Sequence, residues 1–166
     1  MTGIRSLFRF GLGGLLVMWA IPLSAAEPLI RVVVWDEQQP AQKQAYENFL
    51  GNAIADHLGK QPGLRVISAN INQPEKGLPA SLLDNTGVLV WWGHIRHNDI
   101  TPEMAKDIVA RIKRGQLSLI GLHSAHWSAP FMEAMNERTR DDARRRYPLL
   151  TITSRWSLNH AISNAG

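Results

Sequence analysis

Four stretches of the chain are compact apolar runs with β-branched residues, each bounded by turn formers. They are "LIRVVVW" (29–35), "LRVISAN" (64–70), "TGVLVWWG" (86–93) and "LSLIGLH" (117–123). Continuous apolar runs of this length predict strands buried on both faces rather than the alternation of a half-exposed sheet. Between them the period changes. In "AQKQAYENFLGNAIADHLGKQPG" (41–63), Tyr46, Phe49, Leu50, Ala53, Ile54 and Leu58 recur at steps of three and four, which predicts an amphipathic helix closed by Gly59 and the Pro62-Gly63 pair. A short helical turn is expected at Ser81–Asp84. A longer helix is expected from Thr101, as N-cap before Pro102, to Arg114 and Gly115, and another over 128–146. Strand and helix thus alternate four times, the pattern of a doubly wound α/β domain with a parallel sheet.

The first 26 residues have a different character. Arg5 and Arg9 precede an apolar run from Phe10 to Leu23, and Ser24-Ala25-Ala26 supplies the small residues of a signal-peptidase site. At about 14 residues the run is shorter than the roughly 20 that span a bilayer. The expectation is an exported, periplasmic or extracellular protein with a cleaved signal at 1–26 and no stable membrane anchor afterwards. Cleavage would remove two of the 18 basic residues and none of the 14 acidic ones, leaving 16 against 14, a net of +2. The densest basic stretch, "ERTRDDARRRY" (137–147), interleaves Asp141 and Asp142 with its arginines, as a solvated helix face does. Nucleic acid is therefore not an expected partner. The absence of cysteine excludes disulfides, a thiol nucleophile and thiolate metal sites.

Four of the six histidines form two H-x-x-H pairs, His94/His97 just past the third strand and His123/His126 just past the fourth. In a 2-1-3-4-5 sheet these strands are neighbours, and ligands bind at the carboxyl ends of the strands. The first strand, on the other side of the third, ends in Asp36 and Glu37. Imidazoles and carboxylates could thus meet in one crevice, a donor set suited to Zn²⁺ first and also to Mn²⁺, Fe²⁺ or Ni²⁺. Asp99 is a candidate to fix a histidine tautomer. The same groups could serve as acid–base residues without metal, or as hydrogen-bonded turn residues. His57 and His160 read as structural or surface residues.

The turn "GLHSAHW" has the frame of a nucleophile elbow, but His123 occupies the centre where G-x-S-x-G requires serine, with Ser124 one place later. A serine hydrolase is disfavoured. Ser124 is kept as a catalytic candidate beside His123 and Glu37, or equally as a helix cap. Trp35, Trp92 and Trp127 lie at the same strand ends and are candidates for stacking on a sugar, with core packing as the competing role. Trp91 and Trp92 should point to opposite faces of the sheet.

"RVVVWDE", "NAIADHL", "GLPASLLDNTGVLVWWGHIRHNDI" and "GLHSAHWSAPF" together resemble the ThuA (trehalose utilisation) family over about residues 29–148. The resemblance implies a flavodoxin-like, class I glutamine amidotransferase-like three-layer fold without the catalytic cysteine. It also implies a role in sugar catabolism, including routes through 3-keto glycosides. A metal held by clustered histidines fits the same picture, at His94, His97, His123 and His126. No nucleotide cofactor is expected. Residues 27–148 would be the domain, and "LLTITSRWSLNHAISNAG" (149–166) departs from the family pattern apart from a short strand at Leu149–Thr153, as a truncated or frame-shifted end would. The expected function is metal-assisted chemistry on a sugar or 3-keto glycoside. The alternatives are a non-catalytic carbohydrate-binding domain or an inactive truncated homologue.

Overall fold

The computed structural model describes residues 29–148. The expected signal segment 1–26 and the tail 149–166, with its expected strand at 149–153, lie outside the described residues. β1 (Ile30–Asp36), β2 (Leu64–Asn70), β3 (Val88–Trp92) and β4 (Ser118–Gly121) form one sheet in the order β2-β1-β3-β4. Every pairing is parallel, with Trp35 opposite Trp91 and Trp91 opposite Gly121. This is the flavodoxin-like order, and it sets the ends of β1, β3 and β4 side by side.

The two faces of the sheet follow from the period-two geometry of a strand. Val33 and Trp35 of β1 join Leu89 and Trp91 of β3 in one buried cluster, covered by Leu83 of α2 (Ala80–Leu83) and Ile108 of α3 (Pro102–Lys113). Val32, Val34 and Val90 point the other way, against Ala55, Ile54 and Leu58 of α1 (Leu50–Leu58). α4 (Ala129–Arg146) packs on α3, on the same side of the sheet. α3 begins as its sequence predicts, with Thr101 Oγ1 accepting the Met104 N–H at 3.3 Å and Pro102 in first position. The arginines of α4 pair within their own helix, Arg138 with Asp142 at 2.7 Å and Arg144 with Asp141 at 3.1 Å. Such exposed pairs contribute little to stability. Among the described residues, no helix is long and apolar enough to cross a membrane.

The helix expected over 41–63 is much shorter. Pro40–Gln44 forms a 3-10 turn, the chain loosens, and α1 starts only at Leu50. Phe49 has a φ of 59°, which no α-helix accommodates, and Tyr46 is exposed rather than part of an apolar stripe. The cause is tertiary. Asp36, wholly buried at the end of β1, accepts the Gly51 N–H at 2.6 Å, and Gln42 Oε1 accepts the Leu50 N–H at 3.0 Å. The first free N–H groups of α1 are thus satisfied from the strand end, and the helix begins where those acceptors lie.

Asp36 also accepts from the Gln42 amide at 2.8 Å and the Gln38 N–H at 2.7 Å. Replacing it with alanine would leave three donors without a partner, two of them in buried hydrogen bonds. Asp36→Ala is expected to lower stability by roughly 3 kcal/mol, read as a lower urea midpoint at unchanged slope.

Candidate acid–base site

The site is built at the carboxyl edge of the sheet, beginning with Glu37, the residue after β1. Its side chain is buried yet accepts three hydrogen bonds. These come from the Ile95 N–H at 3.0 Å, the Arg96 N–H at 3.0 Å and the Gln39 amide at 2.7 Å. Burial works against ionisation, but the His94, Ile95 and Arg96 amides and Gln39 outweigh it and hold the carboxyl below the ordinary glutamate value. Glu37 is therefore a carboxylate that fastens the loop after β3 to the end of β1. Gly93 permits the contact, since a Cβ there would lie 2.7 Å from Glu37 Oε1.

The fastened loop delivers His97. Its ring is almost fully buried, and Nδ1 lies 3.9 Å from Glu37 Oε1, too far for a hydrogen bond. Both ring nitrogens are buried without a partner among the described residues. Burial drives the imidazole pKa down, Glu37 pulls it up, and His94 and His126 push it down again, with a net fall below the ordinary histidine value. At neutral pH His97 is therefore an uncharged imidazole with unused nitrogens beside a carboxylate.

The loop after β4 closes the other side. His123 has a φ of 45°, the left-handed backbone of an elbow, and its side chain is exposed. A 3-10 turn over His123–Trp127 follows. His126 is exposed, its Nδ1 lies 3.2 Å from the His123 carbonyl, and its ring lies 4.8 Å from that of Trp127. Trp92 and Trp127 are half-buried at the strand ends.

Several expected roles change here. Ser124 is no free nucleophile: it is buried, and its hydroxyl donates to the Gly93 carbonyl at 3.2 Å, tying the two loops together. Trp35 faces no crevice. It is fully buried, stacked on Trp91 at 3.9 Å, and its Nε1 donates to the Lys76 carbonyl. Asp99 holds Arg96 rather than a histidine, receiving Nε at 2.8 Å and Nη2 at 2.6 Å. Asp36 serves α1. Among the described residues, no three His, Asp or Glu side chains form a group that could hold a metal ion. Of the expected set His94, His97, His123 and His126, His97 is the one with a buried ring, while His94, His123 and His126 are exposed, and His126 Nδ1 lies against a backbone carbonyl.

Two residues of the site carried no chemical signal in the sequence. Gln39 orients Glu37, and Arg96 lies between two clefts. One cleft, of about 390 Å³, touches Glu37, Gln39, Ile95 and Arg96; the other, of about 820 Å³, lies beyond Arg96 toward α3. The spacing of "GHIRHND" directs attention to its histidines, although the arginine between them is the better-anchored side chain.

No family model matches the chain, and no curated protein matches it.

The depressed pKa of His97 has a thermodynamic consequence. The unfolded chain binds the extra proton first, so the stability this residue contributes is complete above the ordinary histidine value of 6.5 and is lost as pH falls below it. Glu37 adds a separate loss, which starts only below the ordinary glutamate value of 4.5. Urea midpoints taken downward from neutral pH should therefore fall in two stages. His97→Gln should flatten the upper stage and leave the lower one.

Proposed function

We propose that this chain is an exported ThuA-like protein of sugar catabolism whose strand-end crevice removes a proton from a carbon next to a carbonyl. His97 would be the base and Glu37 its electrostatic partner. The observation that carries this reading is the pairing of an uncharged, unpartnered imidazole with a buried carboxylate 3.9 Å away. An uncharged imidazole is the form that can take a proton, and a nearby fixed anion stabilises the imidazolium that forms. The long separation suits a pair that tightens when substrate arrives.

On a 3-keto glycoside the chemistry balances without a further reagent. His97 takes the proton from C2, and the electron pair moves into the carbonyl as an enolate. That pair then forms the C1–C2 double bond as the C1–O bond breaks, and the departing alkoxide takes the proton back from the imidazolium. Exposed His94 and His126, with half-buried Trp92 and Trp127, would line the approach.

Exchange of the C2 hydrogen for deuterium, followed by NMR on a methyl 3-keto-glucoside, tests this directly. His97→Gln should slow exchange by roughly 10²–10⁴-fold, while Ser124→Ala should retain it. Exchange that is absent in the wild type, or unchanged in His97→Gln, overturns the reading. Sugar binding without exchange would indicate a carbohydrate-binding domain instead. Stoichiometric zinc that is lost in a His94→Ala/His123→Ala variant would return the metal-assisted version of the reaction.

A further inference from the structure

Arg96 is one of two residues that line both clefts. Its Nε and Nη2 are held by Asp99 at 2.8 and 2.6 Å, and its Nη1 donates to Asn72 Oδ1 at 2.9 Å. Asn72 also lines both clefts. The guanidinium is thus fixed in orientation and already neutralised by a carboxylate. A guanidinium carries five N–H donors, and these contacts engage three, leaving two N–H groups unengaged among the described residues. The side chain is 37% exposed, so a ligand can reach them.

The larger cleft beyond Arg96 has an apolar floor of Ile71, Leu78 and Met104. Its charged lining is mostly acidic, with Glu75, Glu103 and Asp107 against Lys76 and Arg96. Arg96 is offset by Asp99, and Asp107 by Arg111. Such a surface offers donors and acceptors without a positive field, which suits hydroxyl and carbonyl oxygens and disfavours phosphate. Together the two clefts exceed the roughly 300–1,000 Å³ that holds one compact ligand.

We infer that the larger cleft is a binding subsite for a neutral, polyhydroxylated portion of the substrate remote from the reacting carbon, and that Arg96 is the specificity-determining residue that reads it. This rests on the crevice reading above, yet it is separable from it, because binding here does not require His97 to move a proton. Arg96 also connects the subsite to the chemistry through its backbone. Its N–H is bound by Glu37 Oε1, the same oxygen that faces His97. Arg96→Leu leaves that N–H in place, so the side chain's role can be tested alone.

Equilibrium binding by calorimetry, with maltose as the neutral two-ring probe and glucose 6-phosphate as the anionic one, decides the matter. Maltose should bind saturably and more tightly than glucose 6-phosphate. Arg96→Leu should weaken maltose by roughly tenfold or more. Ala80→Trp, at an exposed lining position, should abolish binding by filling the cleft without disturbing the core. Maltose binding that persists while proton exchange fails in every form of the protein would uphold this inference and overturn only the crevice reading. No maltose binding, a preference for glucose 6-phosphate, or maltose binding that survives both Arg96→Leu and Ala80→Trp overturns the inference.

Discussion

The carboxylate of Glu37, buried and met by three N–H donors, is the contact on which the carboxyl edge of this molecule depends. A charged group taken out of water is tolerated only when hydrogen bonds replace its hydration. Here those bonds come from the Ile95 and Arg96 amides on the neighbouring strand's loop and from the Gln39 side chain. The requirement runs both ways. Glu37 depends on the loop amides to stay ionised, and the loop is held in turn by Glu37, by Ser124 at the Gly93 carbonyl and by the Arg96–Asn72 contact. Once the loop is so held, His97 follows directly after Arg96 with little freedom, which is how an imidazole whose nitrogens have no partner among the described residues comes to be fixed beside a carboxylate.

Asp36, one residue earlier, does the same for the other layer. It draws Gly51 and Gln42 to the end of β1 and thereby fixes where α1 begins. Adjacent residues on a strand point to opposite faces, so this acidic pair sends one anchor toward α1 and one toward the β3 loop. The strand end is where the three layers are joined by charge and hydrogen bonds, whereas their interiors are joined by apolar packing.

This division explains what could be read from the sequence. β1 and β3 were legible because central parallel strands covered on both faces must be apolar at nearly every position. β2 spans the residues its pattern marks, 64–70, but as edge strands β2 and β4 are not buried on both faces as expected, and leave Arg65, Ile67 and Ile120 exposed. Thr101-Pro102 announced α3 because a helix start is local chemistry. The start of α1 was not legible, because its acceptors lie 15 residues away at Asp36 and override a periodicity that includes Tyr46. Histidine spacing marked two loops that the strand order brings side by side. It could not say which way the rings point, and a metal sphere depends on that. Ser124 and Trp35 read as chemical residues by type. Their burial, the one under Gly93 and the other stacked on Trp91, is a property of packing that single residues do not announce.

Backbone strain is unevenly shared between the two edges of the sheet. Among the described residues, five non-glycine positions take positive φ: Gln38, Phe49, Glu75, Lys76 and His123. Left-handed geometry costs an ordinary residue about 1–2 kcal/mol, and it persists only where surrounding contacts impose it. Phe49 is accounted for by the anchored start of α1. The remaining four lie in loops at the carboxyl edge: Gln38 beside Glu37, Glu75 and Lys76 on the larger cleft, and His123 at the elbow. Glycine takes positive φ at both edges, Gly77 at the carboxyl edge and Gly63 and Gly115 before β2 and β4, where it carries no such cost; at the opposite edge no other residue does, among those described. A chain selected for stability alone could place glycine at both edges. The side chains retained at the strained positions therefore mark the carboxyl edge as the one where residue identity matters more than backbone ease.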